Sequence, residues 1–215
     1  LRPIGSKSLK GHITGNPCER VTQLPIQGEL DASIVKKRIE FNFGRTSLWL
    51  DLSESLFSSF GVDVGTRALL NSLRKNDAID YSKALDLGCG YGPMGLFLKK
   101  QDPSRDVHMV DRDALAVAFA SHNALVNDLR VKVYPSLDYE QVVDAFSLIV
   151  SNFPAKMEVG GLRAFVYGAS AHLIGDGILA LVVVRELTKA LEQVLDNQAI
   201  RTLYKEYKRG HSIFH

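Results

Sequence analysis

Cysteine and tryptophan are scarce: the 215-residue chain has two of the first, Cys18 and Cys89, and one of the second, Trp49. Cys18 falls in a polar leader and Cys89 inside a glycine-rich turn, so neither a disulfide framework nor a metal-ligand pair is expected. The six histidines show no ligand spacing, and no structural metal is expected. Long apolar runs are missing too. The longest clear one, residues 178–184, is of strand length and far short of the ~18 residues of a membrane span. Residues 1–10 carry no signal-peptide core. Charge of either sign is not in excess, and a net +2 does not demand a nucleic-acid partner. The basic residues gather locally, Lys36, Lys37, Arg38 and Arg45 near the front and Arg201, Lys205, Lys208 and Arg209 near the end. Each group suits either phosphate contacts or plain solvated surface. These absences leave a cytoplasmic globular protein without a membrane partner, sized for one domain and a modest appendage.

Residues 1–27 are rich in Gly, Pro, Ser and Asn without periodicity and read as an extended leader. Over 38–52, Ile39, Phe41 and Phe43 alternate, then Leu48, Leu50 and Leu52, with Gly44-Arg45-Thr46-Ser47 between them as the turn of a hairpin. Trp49 is expected to pack there. Residues 61–73 read as a loop leading into a helix. Beyond residue 83, strands are expected at 84–87, 107–110, 131–134, 148–150 and 178–184, and helices at 94–100, 114–126, 162–173 and 187–195. Strands alternating with helices argue for a parallel sheet covered on both faces. The end differs: 201–207, the turn Lys208-Arg209-Gly210 and 211–215 read as an antiparallel hairpin. The expected division is a leader and hairpin over 1–55 and an α/β domain over 56–215.

The most informative stretch is Ala84-Leu85-Asp86-Leu87-Gly88-Cys89-Gly90-Tyr91-Gly92-Pro93, a short apolar run carrying an acid, followed by glycines at alternate positions. Glycine permits backbone conformations barred to other residues and lets a ligand come close to the main chain. The run from Gly90 to Gly95 also fits G-x-G-x-x-G, with Asp111 about 20 residues on, as the dinucleotide fingerprint asks. Two details oppose that reading. Asp86 would repel a pyrophosphate, and Pro93 removes an N–H from the loop that should cradle it. An acid before the turn suits a cofactor with a positive charge or a free amine. The stretch resembles the first motif of class I S-adenosylmethionine (SAM) methyltransferases. That resemblance implies a Rossmann-like α/β fold, a seven-stranded mixed sheet with a C-terminal antiparallel hairpin and helices on both faces.

In open α/β sheets ligands bind beyond the carboxyl ends of the strands. The second strand ends at Asp111 and Arg112. Asp111 is expected either to accept the ribose hydroxyls of an adenosine or, with Asp113, to serve the N-terminus of the next helix. After the third strand come Ser136, Leu137 and Asp138, expected beside the adenine, although Asp138 equally suits the start of the next segment. The fourth strand ends in Ser151-Asn152-Phe153-Pro154. This resembles the Asn/Asp-Pro-Pro-aromatic motif of methyltransferases that act on planar amines. Phe153 replaces the first proline, and Ala155 stands where the aromatic would be.

Leu56-Phe57-Ser58 and Gly61-Val62-Asp63-Val64-Gly65-Thr66 are similar to the segment preceding the core in the methyltransferase small domain family. That family includes bacterial enzymes that methylate the exocyclic amine of a guanine in small-subunit ribosomal RNA. The resemblance implies SAM held by Thr66, Asp86, Gly88, Gly90, Gly92, Asp111, Arg112, Ser136, Leu137 and Asn152, with Gly65-Thr66 at its methionine end. Thr66 also suits a helix cap. It further implies Asn152, Phe153 and Pro154 at the reacting amine, where the Asn152 side chain and the Phe153 carbonyl accept hydrogen bonds. The implied substrate is a guanine amine in ribosomal or transfer RNA, with Phe57, Phe60 or Phe153 stacking in place of the missing aromatic. The alternatives are a protein or small-molecule methyltransferase and a SAM-binding module without catalysis. His122 falls on a buried stripe and is expected in the core or at an interface. His211 and His215 are expected to be exposed or locally hydrogen-bonded.

Overall fold

The computed structural model describes residues 30, 32–56, 58, 60–76, 81–156, 158–197 and 200–215. The leader over 1–27, with Cys18, and Phe57 lie outside the described residues. Short runs of Val, Leu, Ile and Ala form strands that are covered on both faces. β3 (Lys83–Leu87), β4 (Asp106–Asp111), β5 (Lys132–Pro135), β6 (Phe146–Asn152) and β7 (Leu173–Val184) run parallel. β9 (His211–Phe214) lies antiparallel between β7 and the edge strand β8 (Lys205–Lys208). The result is a seven-stranded mixed sheet in the order β5-β4-β3-β6-β7-β9-β8. α1 (Val64–Lys75), α2 (Pro93–Gln101) and α3 (Ala114–Val126) pack on one face, α4 (Val159–His172) and α5 (Thr188–Asn197) on the other. From β3 the chain steps outward to β5, then returns to β6 on the far side of β3. At that switch point neighbouring connections leave to opposite faces, and a crevice opens at the carboxyl ends of β3 and β6. Among the described residues no helix is long and apolar enough to cross a membrane.

β1 (Lys37–Phe43) and β2 (Thr46–Leu52) form the expected hairpin. Alternation sends Phe41, Phe43, Leu48 and Leu50 into the core shared with α2 and α3. The same alternation turns Trp49 outward, 47% exposed, which corrects the expectation that it packs. The edge of β2 not used by β1 is paired by two asparagines of α3. Asn123 accepts from the Asp51 N–H at 2.8 Å and donates to its carbonyl at 3.1 Å. Asn127 does the same for Trp49, at 2.9 and 2.7 Å. Four helical residues rise ~6 Å and two strand residues ~6.7 Å, so both amides stay in step with the strand. Asn123 also donates to the Tyr91 carbonyl at 2.9 Å, tying the hairpin to the glycine loop. Asp51 receives Arg38 through two bonds, 2.7 and 2.8 Å, and His122 Nε2 at 2.7 Å. His122 is therefore interfacial.

Other expectations shift. β7 begins at Leu173 because α4 runs directly into it, with Leu173 opposite Phe146 and a slip in register before Leu148 meets Ile178. His215 is 8% exposed, not at the surface. Backbone pairing continues past β9 to Leu203 and Tyr204 and draws it beneath α1, where Nε2 lies 2.8 Å from Ser72 Oγ.

Candidate active site

Gly88, Gly90 and Gly92 have φ of +71°, +56° and +91°, in the left-handed region that glycine alone adopts without strain. The loop they form folds back onto β4: the N–H groups of Gly88 and Cys89 both donate to the Val110 carbonyl at 2.9 Å. α2 then starts at Pro93, where the missing N–H costs nothing. Asp86 is buried beneath this loop. Its Oδ2 accepts the Gly95 N–H at 2.7 Å, while Oδ1 has no partner among the described residues. Burial, and secondarily the charge of Asp111, push its pKa up to about 7. An unpaired buried carboxylate oxygen is costly, and a cationic or amine-bearing ligand would relieve it.

Asp111 ends β4 at the opposite wall. Oδ2 accepts the Gly90 N–H and Oδ1 the Asp113 N–H, both at 2.9 Å. The helix cap is Asp113, whose side chain accepts from Leu115. A carboxylate has about four acceptor sites, so Asp111 keeps room for two hydroxyls. Arg112 is exposed next to it. The Ser136 hydroxyl donates to the Asp138 carbonyl at 2.8 Å and accepts from Gln141 at 3.1 Å, so it is spent on shaping its loop. That loop presents Leu137 half-exposed.

At the end of β6 the Asn152 Nδ2 donates to both oxygens of Asp63, at 3.0 and 3.1 Å, and to Thr66 Oγ1 at 3.1 Å. An amide with its nitrogen so fixed has its oxygen fixed as well. Oδ1 accepts no hydrogen bond among the described residues and lies 3.2 Å from where a Cβ on Gly65 would sit. Asp63, not Thr66, caps α1: it accepts from Thr66 N at 3.1 Å and Thr66 Oγ1 at 2.6 Å. The Phe153 N–H donates to the Val182 carbonyl at 2.9 Å. The Phe153 ring is 2% exposed and meets Phe165 edge-on, so it is no stacking platform. The alternation that turns Asn152 toward α1 sends Phe153 to the face of α4. Pro154 and Ala155 are exposed at the rim. Phe60 is 80% exposed in the loop before α1, with the Lys36 and Lys37 ammonium groups over its ring.

Sequence reasoning missed Asp63 and Asn123. An Asp just ahead of a helical pattern is a capping signal, and it was legible. Nothing local marks Asn123, whose partners are 72 and 32 residues away.

A sequence profile of the methyltransferase small domain matches residues 48–209. The Bacillus subtilis (strain 168) protein YbxB is 31% identical over 160 residues, 71% of this chain and 79% of that protein. The ribosomal RNA small subunit methyltransferase C of Mannheimia succiniciproducens is 35% identical over 131 residues, 59% of this chain and 38% of that enzyme. A solved Thermus thermophilus 16S rRNA N2 G1207 methyltransferase, in complex with AdoMet and guanosine, superposes with a TM-score of 0.70 at 22% identity. That likeness covers 83% of this chain and 49% of the Thermus chain. A profile match spanning most of the chain, on a sheet of this strand order, makes it a member of the methyltransferase small domain family, an S-adenosylmethionine-dependent methyltransferase.

Proposed function

We propose that the chain transfers a methyl group from SAM to the exocyclic amine of a guanine in RNA, with ribosomal RNA as the first substrate to test. The observation that carries this reading is the Asn152 amide, locked by Asp63 and Thr66 so that its acceptor oxygen is left for a ligand N–H. Relatives named as ribosomal RNA methyltransferases support the choice of RNA.

SAM supplies an activated methyl group on a sulfonium. The chain's residues bind and align. Asp86 would take the cationic amine of the methionine end, and Asp111 the ribose hydroxyls. Gly88, Gly90 and Gly92 give close approach, and Leu137 offers an apolar surface to the adenine, with Arg112 at the margin. Thr66 and Asp63 hold Asn152. Asn152 Oδ1 and the Phe153 carbonyl would accept the two N–H groups of the acceptor, directing the nitrogen lone pair at the methyl group and offsetting positive charge as it develops. Alignment of this kind lowers a barrier by ~7–11 kcal/mol. The base must be flipped out or single-stranded to enter. Exposed Phe60 is the stacking partner that fits; the buried ring of Phe153 does not. The acting unit is residues 56–215, with the hairpin as an extension that braces the glycine loop through Asn123.

Asn152→Ala tests the reading. SAM affinity should stay within about twofold while turnover falls by roughly 10²–10³, the effect of losing one preorganised hydrogen-bonding group at a reacting centre. Normal turnover in a variant with normal melting would remove the amine mechanism.

A further inference from the structure

Three polar side chains converge on the space over Gly65. The position of a Cβ there would be 3.0 Å from Asp63 Oδ1, 3.2 Å from Asn152 Oδ1 and 3.2 Å from His211 Cδ2. Asp63 and Asn152 already belong to the site. His211 comes from the far end of the chain. It opens β9 opposite Val184, at the carboxyl end of β7, and Asn152 pairs with Val182 on the same strand. The sheet register thus brings the imidazole to the same rim as the Asn152 amide.

The tautomer of His211 is set by its own turn. Nδ1 lies 3.2 Å from the Arg209 carbonyl, which can only accept. Nδ1 therefore carries the proton, and Nε2, bonded to Cδ2, holds a lone pair. The other groups of this space are committed. The Asp63 carboxylate takes Thr66 N, Thr66 Oγ1 and Asn152 Nδ2. The Asn152 oxygen is an amide and no useful base. Among the described residues His211 Nε2 is the one basic nitrogen at this point without a hydrogen-bond partner.

We propose that His211 is a catalytic residue, the base that receives the proton released by the acceptor amine; this rests on the amine reading above. The acceptor nitrogen forms a bond to the methyl carbon as the carbon–sulfur bond breaks, and that bond's electron pair stays on sulfur. As the nitrogen–carbon bond forms, positive charge develops on the nitrogen, and the N–H on the Asn152 side passes its proton to His211 Nε2 in the same step. The resulting imidazolium returns it to solvent. Asp63, from the cap of α1, and Lys208, opposite on β8, are the charged side chains facing the ring from packed elements, and Arg185 follows β7.

The test is kcat and KM between pH 5.5 and 9 for wild type, His211→Gln and His211→Ala, with labelled SAM and mapped products. Gln keeps polarity without basicity. Expected are a kcat lower by roughly 10²-fold, the low end for general base catalysis, loss of the acid limb of the pH profile, and unchanged SAM affinity and melting. Added imidazole should partly restore His211→Ala. If wild type methylates an amine and His211→Gln keeps its kcat and acid limb, the proposal falls and the amine reading stands. If the mapped product is on an atom that bears no proton to release, both fall together.

Discussion

Asp86 combines an acidic residue with a site that excludes water, and its titration is a direct probe of what the site holds. Its pKa, raised from 3.8 to about 7, means that the group's contribution to stability is full below the ordinary value and is lost as pH rises through 7. A cationic ligand reverses the balance by favouring the carboxylate. SAM should therefore bind more tightly, and raise Tm more, at pH 7.5 than at pH 5.5, with Asp86→Asn losing most of that dependence; calorimetry and thermal shift across pH check it. Asp111→Ala should weaken SAM by about 1.5–3 kcal/mol in calorimetry through loss of charged hydrogen bonds, and unchanged affinity would confine Asp111 to bracing Gly90. The glycine turn was legible because positive φ demands glycine, and the places of Asp86 and Asp111 because they lie at or next to the carboxyl ends of neighbouring parallel strands, where an open α/β sheet forms its crevice. The Asp63–Asn152 contact was not, since it joins residues 89 apart.

At the scale of elements, the hairpin, α3 and the glycine loop act as one braced unit through Asn123. Asn123→Ala leaves the Asp51 N–H and carbonyl and the Tyr91 carbonyl without their partner. It should cost about 2–4 kcal/mol in denaturant unfolding and loosen SAM binding as well. A change below 0.5 kcal/mol would mean that water replaces the amide. His215 ties β9 to α1, and burial pushes its pKa from 6.5 down to about 4. Its folded value lies below its unfolded one, so stability is complete above pH 6.5 and declines as the unfolded chain takes up the proton toward pH 4. His215→Gln should flatten that part of the Tm–pH curve. Helix and strand identities followed from periodicity. The early start of β7 did not, because Gly175 and Gly177 interrupt its apolar pattern while Leu173 finds Phe146 across the sheet. Nor did the burial of His215, which depends on pairing with residues 203 and 204.

For the whole molecule, a parallel sheet covered on both faces was legible because short apolar runs alternate with helical patterns, and the closing hairpin marked the departure from a purely parallel sheet; the strand order came only with the structure. The substrate surface was less so. Of the basic residues near the front, Arg38 is held by Asp51, Lys36 by Glu54 and Lys37 by the Phe60 carbonyl at 2.7 Å, which leaves Arg45 of these four for phosphates. RNA affinity should still fall as salt rises from 50 to 200 mM, and with fewer free cations the slope should be shallow, readable by filter binding. The most direct measurement is methyl transfer from labelled SAM to RNA, protein and metabolite fractions offered side by side, with the labelled product digested and mapped. The expected result is label in RNA, on the exocyclic amine of guanine, lost in Asn152→Ala while SAM binding persists. Label confined to protein or metabolites, or SAM bound with no transfer to any fraction, would contradict it.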